Sequence, residues 1–348
     1  MFDNFYNGKK VFVAGHTDFK GGWITLLLKS LGAQVLGYAL EPDTYPSMYE
    51  EVKLYSHCRN EFGNILDVKR LEETMKHYKP DIVFNLAAQP FAYIAENDPV
   101  TTYKTNILGA LNVLEAAKKC PSVKAFVNAT KDRGFENNLF DKTSQKLDVN
   151  YNMYASAMDC SEILTNAYNH TYLKNQGFSL ASAQNENIIG GGDWASRRLI
   201  PDCIKLLNEN KDILVNNAVV LRPFQFVLEP LVGYLLLAKK LYENGCEYSG
   251  TYNFAPNRNS LVNVVDIIQK TVELYGKGKV IAEMNVDADT DYEILDNSLS
   301  VSKLGWKPVY DAQTALVKTV DWYKNFYNDE DMYEVTMTQI QEFINAAE

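Results

Sequence analysis

The residues whose types and spacing could do chemistry begin near the N-terminus. Gly15-His16-Thr17-Asp18-Phe19-Lys20-Gly21 follows an apolar run, Lys10 to Ala14, and opens a helical pattern. Glycines at such a turn let backbone approach a pyrophosphate, which rests on the positive end of the helix. The GxxxxxG spacing matches a GxxGxxG loop whose middle glycine has become Asp18. A carboxylate there adds bulk and negative charge where cofactor phosphates are expected, and could itself cap the helix. Two readings stay open at this point: a working cofactor loop, or a turn that only caps a helix.

Gly190-Gly191-Gly192 reads either as a phosphate cradle or as a flexible connection between lobes. His16 belongs to the first loop, and His57, His77 and His170 share no ligand spacing, so no metal is expected. The five cysteines, Cys58, Cys120, Cys160, Cys203 and Cys246, stand singly with no CxxC pair. That pattern suits a reducing compartment better than a disulfide framework.

The elements that must position the first loop read as alternating strands and helices. Lys10–Ala14 is a buried strand and Gln34–Leu40 a second. The helix between them carries Trp23, Leu26, Leu27 and Leu31, closed by Gly32. A βαβ unit of this kind implies a right-handed crossover in a parallel sheet. Helices are expected over 68–78, 99–119 and 154–173, and strands over 81–85, 124–128 and 178–184. Pro99 stands near the first turn of its helix. Beyond residue 190 helices are expected over 199–208, 229–242 and 262–275, with short strands near 219–220 and 252–254. The fold expected is α/β, a Rossmann-type doubly wound parallel sheet over residues 1–186. Residues 187–348 form a smaller substrate lobe, some of whose segments return to the first domain.

Composition bounds the function. The chain has 348 residues, 34 Lys and Arg against 44 Asp and Glu, and a net charge of −10. With no dense basic run, a nucleic-acid partner is not expected. The longest apolar run, Leu231–Ala238, is far short of the ~20 residues that span a bilayer. Met1-Phe2-Asp3-Asn4 does not begin a basic-then-apolar leader, so a cytoplasmic location is expected and no membrane partner.

Several blocks carry a resemblance. The GHTxFKG loop, Asn85-Leu86-Ala87-Ala88-Gln89-Pro90, Asp98-Pro99-Val100 through Thr105-Asn106, and Asn187 through Trp194 are among them. So are Arg198-Leu199-Ile200-Pro201-Asp202, Arg222-Pro223-Phe224-Gln225, Val227-Leu228-Glu229-Pro230 and Leu304-Gly305-Trp306-Lys307-Pro308. Together they resemble the CDP-glucose 4,6-dehydratases of the extended short-chain dehydrogenase/reductase superfamily, over nearly the whole chain. The resemblance implies tightly held NAD or NADP and a CDP-linked nucleotide sugar. It also implies a lyase reaction in bacterial-type surface-glycan sugar biosynthesis, and a homodimer through the helices over 99–119 and 154–173. It places Gly15, Phe19, Lys20, Gly21, Asn64, Ala87 and Asn106 at the cofactor. It places Gln89, Asn187, Arg198, Leu199, Arg222, Gln225 and Tyr292 at the nucleotide sugar, and Tyr154, Asp132 and Lys131 in catalysis.

The chain departs from this pattern where hydride transfer is served. The Tyr-x-x-x-Lys pair reads Tyr154 and Met158, so no ammonium lowers the Tyr pKa from that position. The Thr-Ser-Asp-Lys stretch reads Thr130-Lys131-Asp132-Arg133; the acid survives, and a guanidinium is a poor base. Gly63-Asn64-Ile65 replaces a Gly-Asp-Ile at the adenine. Three readings follow. One is a nucleotide-sugar-modifying protein with altered or impaired redox chemistry. Another is a non-catalytic nucleotide-sugar-binding protein. The third is an active dehydratase in which Lys131 and Arg133 compensate.

Overall fold

The computed structural model describes residues 2–132, 152–171, 177–185, 187–216, 221–257, 260–283 and 294–348. The first six strands all belong to its main sheet: β1 (Lys10–Ala14), β2 (Gln34–Ala39), β3 (Arg59–Phe62), β4 (Ile82–Asn85), β5 (Ala125–Asp132) and β6 (Ser179–Asn185). After them come β7 (Ile188–Ile189), β8 (Ile213–Asn216), β9 (Leu221–Pro223), β10 (Gln225–Phe226), β11 (Gly250–Phe254), β12 (Leu261–Asn263) and β13 (Val280–Glu283). Helices of the first half are α1 (Phe19–Ser30), α2 (Met48–Glu51), α3 (Val68–Tyr78), α4 (Ala92–Asn97), α5 (Pro99–Tyr103), α6 (Ala110–Lys118) and α7 (Met153–Thr171). The second half adds α8 (Leu199–Asn208), α9 (Leu228–Asn244), α10 (Val264–Tyr275), α11 (Ser298–Leu304), α12 (Ala312–Tyr327) and α13 (Met332–Ala347).

The sheet is parallel throughout, in the order β11-β6-β5-β4-β1-β2-β3. The order reverses between β1 and β4, and ligands of open α/β sheets bind beyond the carboxyl ends of the strands at such a switch point. Period-two alternation divides the core between the two faces. Val11, Val13, Ile82, Phe84 and Val127 meet the layer of α1, α9 and α13. Phe12, Ala14, Val83 and Phe126 meet α3, α6 and α7. The seventh strand, β11, comes from beyond residue 187, as does its packing partner α9. No helix among the described residues is long and apolar enough to cross a membrane.

Two expectations change. Residues 99–118 are helical but do not form one α-helix: α5 passes through a π-turn, Lys104–Gly109, into α6. The wider turn carries Asn106 into the interior, and Gly109 leaves room for Ile65, whose Cδ1 would be 2.4 Å from an added Cβ. The glycine run 190–192 is not a flexible connection. Gly191 is pressed under Trp322, whose Cγ would lie 2.0 Å from an added Cβ, and its carbonyl accepts from Trp23 Nε1 at 2.9 Å. The strand expected near Tyr252 belongs to the main sheet as β11, while residues 219–220 lie outside the described residues.

The second half is fastened by the blocks that carried the resemblance. Glu229, in the first turn of α9, is buried and accepts from the Val309 amide at 3.0 Å and the Tyr310 amide at 2.6 Å. Its backbone carbonyl takes the Trp306 Nε1 proton at 3.0 Å. Burial pushes the Glu229 carboxyl up to about 8, against the lowering pull of the Tyr310 and Val309 amides. Glu229→Ala leaves two half-buried amides without this acceptor and should lower the unfolding free energy by about 2–4 kcal/mol. Glu229→Gln keeps an acceptor and should cost less; urea denaturation of both variants checks this.

Candidate functional site

The site forms where β1 and β4 end. Gly15 follows β1 with φ +87°, a conformation natural only to glycine, and an added Cβ would lie 2.8 Å from the Ala87 nitrogen. Gly21 brings α1 against the same turn: its Cβ would lie 1.9 Å from the Gly15 carbonyl. His16 points away from the cleft. It is buried over Gly37, bonds Asn60, and its imidazole is pushed down to about 4 by burial, with the Asn60 bond opposing.

Asp18 occupies the N-cap position of α1, but its side chain accepts no bond from the helix, contrary to the capping expectation. The carboxyl borders a cleft of about 100 Å³, together with Lys20, Tyr154, Met158, Asp193 and Arg198. Burial pushes it up to about 7, and Asp43 adds to this; Lys20 and Arg198 oppose, and Asp193 raises it further. A second cleft continues from the first and shares Ile188, Asp193 and Arg198 with it. Asn187, Leu199, Pro201 and Phe224 are among the other residues of its wall. Arg198 Nε stands 3.8 Å from Asp193 Oδ2 on the wall shared by the two clefts, and a guanidinium fork suits a diphosphate.

Among the described residues, three buried polar atoms beside these clefts have no hydrogen-bond partner: Asn187 Nδ2, Trp194 Nε1 and Thr130 Oγ1. Trp194 borders the first cleft, Asn187 the second, and Ala129 places β5 at the first. Buried donors left unmet cost about 1–3 kcal/mol each, so such atoms suit a ligand's oxygens.

The structure gathers some expected residues and disperses others. Phe19, Lys20, Gly21, Tyr154, Asn187, Arg198 and Leu199 line one or other cleft. Asn106 does not: its side-chain oxygen accepts from the Gln89 amide at 2.7 Å, and its nitrogen donates to the Gln89 carbonyl at 3.1 Å. The Gln89 side chain is in turn tied to Phe91 and Thr102. Gln225 is buried and donates to the Phe254 carbonyl at 2.9 Å, and Arg222 donates to the Leu221 carbonyl at 2.8 Å. Asn64 is exposed, its side chain accepting from the Leu66 amide. Lys131 and Asp132 end β5 opposite Gln184 and Asn185, past a bulge at Thr130, and their side chains lie outside the described residues. So do Arg133 and Tyr292.

Asp43, Ser47, Met48 and Trp194 also line the first cleft and were not expected there. One signal was available: Ser47-x-x-Glu50 is a helix-start pattern, and Ser47 Oγ accepts from the Glu50 amide at 3.2 Å. That start brings Met48 over the glycines. Its side chain would lie 2.4 Å from a Cβ at Gly192 and 2.6 Å from one at Gly22.

A dinucleotide fits the backbone here and not the side chains. Gly15 and Gly21 keep the close turn that a pyrophosphate needs. Asp18, Asp43 and Asp193 put three carboxyls against two cations, Lys20 and Arg198, at the positive end of α1. Met158, buried on the same cleft wall one helical turn from Tyr154, offers no donor to a ribose and no charge to the Tyr154 hydroxyl. Among the described residues no group of three or more His, Cys, Asp and Glu is placed to hold a metal ion.

Comparison with known proteins gives this geometry a family. Residues 11–253 match the model of the NAD dependent epimerase/dehydratase family. The CDP-glucose 4,6-dehydratase of Salmonella typhimurium is 35% identical, over 99% of this chain and 98% of that protein. The UDP-glucose 4-epimerase of Thermotoga maritima, solved with UDP-glucose, superposes with a TM-score of 0.74 at 19% identity, over 91% of this chain and 99% of that one. The Brucella ovis UDP-glucose 4-epimerase, solved with NAD, gives 0.73 at 20% identity, over 90% and 97%. The family model spans most of the chain, and a relative over a third identical runs its full length: the protein belongs to the NAD dependent epimerase/dehydratase family.

Proposed function

We propose that this chain binds a nucleotide sugar across the two joined clefts and does not carry out NAD-dependent 4,6-dehydration. The CDP link is taken from its similarity to the Salmonella typhimurium enzyme. One contrast carries the reading. Arg198 and the unmet Asn187 donor equip the nucleotide-sugar side, while Asp18 and Met158 burden the side where a dinucleotide would lie. In this reading residues 1–186 supply the emptied cofactor half and 187–348 the nucleotide-sugar half, in a cytoplasmic protein of surface-glycan sugar biosynthesis.

A second reading is favoured by Tyr154, whose side chain still borders the cleft. A hydroxyl at that place serves proton transfer on a nucleotide-linked keto sugar, a reaction without hydride. Purified protein should release no NAD(H) or NADP(H) on denaturation. CDP-glucose, but not NAD, should raise its melting midpoint. Stoichiometric dinucleotide, or a 4-keto-6-deoxy product from CDP-glucose, would reject the first reading.

The homodimer belongs to the same proposal. Val100 and Leu108 on the α5–α6 segment, and Met153 and Ile163 on α7, are exposed apolar side chains. Pro99, Tyr103 and Ile107 extend the first pair into an apolar groove. A face of this kind calls for cover, and light scattering should give twice the chain mass.

A further inference from the structure

Asp18 does no capping work for α1 and faces the cleft instead. The charged groups acting on it come from four segments: Lys20 in α1, Asp43 after β2, Asp193 after β7, and Arg198 at the start of α8. Tyr154 of α7 lines the same cleft. Fully ionised, the five charged groups sum to −1. A diphosphate diester would add two negative charges in a setting that screens them poorly.

We propose that Asp18 makes the binding of phosphate-bearing ligands in this cleft proton-linked, one proton being taken up on its carboxyl as the ligand enters. The inference rests on the reading of the cleft as a nucleotide-diphosphate site and adds a specificity-determining residue to it. The balance is simple: protein, ligand and one proton combine, and the proton is held on a carboxylate oxygen of Asp18. Little work is needed, because burial already pushes this carboxyl up to about 7. His16, two residues back along the loop, is held down to about 4 and stays neutral over the range concerned. The two phosphates of a nucleotide sugar are diesters and do not titrate near neutrality, so the linked proton belongs to the protein.

The sign follows from the raised pKa. Below about 7 the carboxyl is already neutral and affinity is level. Above it each bound ligand must bring a proton, and affinity falls by up to about tenfold per pH unit. Titration calorimetry of CDP-glucose, from pH 6 to 8.5 in buffers of different ionisation enthalpy, reads both affinity and proton count. The wild type should lose about fivefold in affinity from pH 7 to 8 and take up close to one proton at pH 8. Asp18→Asn, of the same shape, should bind with no pH slope and no proton uptake, and more tightly than wild type at pH 8. A pH slope and proton count unchanged by Asp18→Asn would overturn the proposal while leaving the nucleotide-sugar site standing. Absence of binding in both proteins at every pH would remove that site and the proposal with it.

Discussion

The double variant Asp18→Gly/Met158→Lys should bind NAD more tightly than the wild type, by about two to three orders of magnitude at pH 8. The carboxylate of Asp18, at the N-cap of α1, opposes any pyrophosphate on that helix end. Because the carboxyl, at about 7, can take up a proton instead, that opposition costs no more than about 1.4 kcal/mol at pH 8. The glycine removes it together with the bulk. Lysine at 158, one turn along α7 from Tyr154, adds an ammonium within a wall that Met158 now fills. Charged hydrogen bonds contribute about 1.5–3 kcal/mol, and each ~1.4 kcal/mol is tenfold in affinity. Equilibrium dialysis with NAD measures the effect. If NAD stays unbound, the obstacle lies elsewhere than in these two side chains. The gain from Asp18→Gly should shrink at pH 6, where the carboxyl is already neutral.

Arg198→Ala should weaken CDP-glucose by about 10- to 100-fold, the worth of a charge-assisted contact to a diphosphate. Among the described residues, Arg198 is the cation that lines both clefts. Arg198→Lys keeps the charge but not the planar fork, so it should recover part of the loss. Calorimetric affinities of the three proteins, each checked for an unchanged far-ultraviolet spectrum, decide the matter. Equal affinity for wild type and Arg198→Ala would place the diphosphate elsewhere.

Much of the sheet could be read from the chain because its buried strands are short apolar runs: Lys10–Ala14, Gln34–Ala39 and Ile82–Asn85 announce themselves. β3 could not, since Arg59-Asn60-Glu61-Phe62 is an edge strand with no apolar pattern. α12 and α13 were missed although Asp311 and Asp331 mark both starts, accepting from the amides of Thr314, Tyr333 and Glu334. The π-turn at Asn106 has no local cue, because the same residues suit an α-helix; tertiary contacts with Gln89 and Ile65 select it. The Asp18 misfit was legible in the loop spacing, but its electrostatic neighbours were not. Asp43 and Asp193 lie 25 and 175 residues on, and only the fold brings them to it.

Motif blocks proved a guide to place more than to contact. Asn106, Gln89 and Gln225 sit in matching blocks, yet their amides hold backbone: Gln89, Phe91 and Phe254. Arg198 and Asn187 sit in such blocks and do face a cleft.

The parallel sheet closes late. β6 is complete at Asn185, and the strand that covers its outer edge does not begin until Gly250. On the ribosome that gap of 65 residues takes about 3–13 s at ordinary elongation rates. Throughout it Ser179–Asn185, a strand without a single charged side chain, presents an open row of amides and carbonyls. Charged residues and prolines are the usual guards of such an edge, and β6 has neither. Newly made chains are therefore open to pairing with one another at this strand, and a fragment ending near residue 186 would keep that hazard permanently.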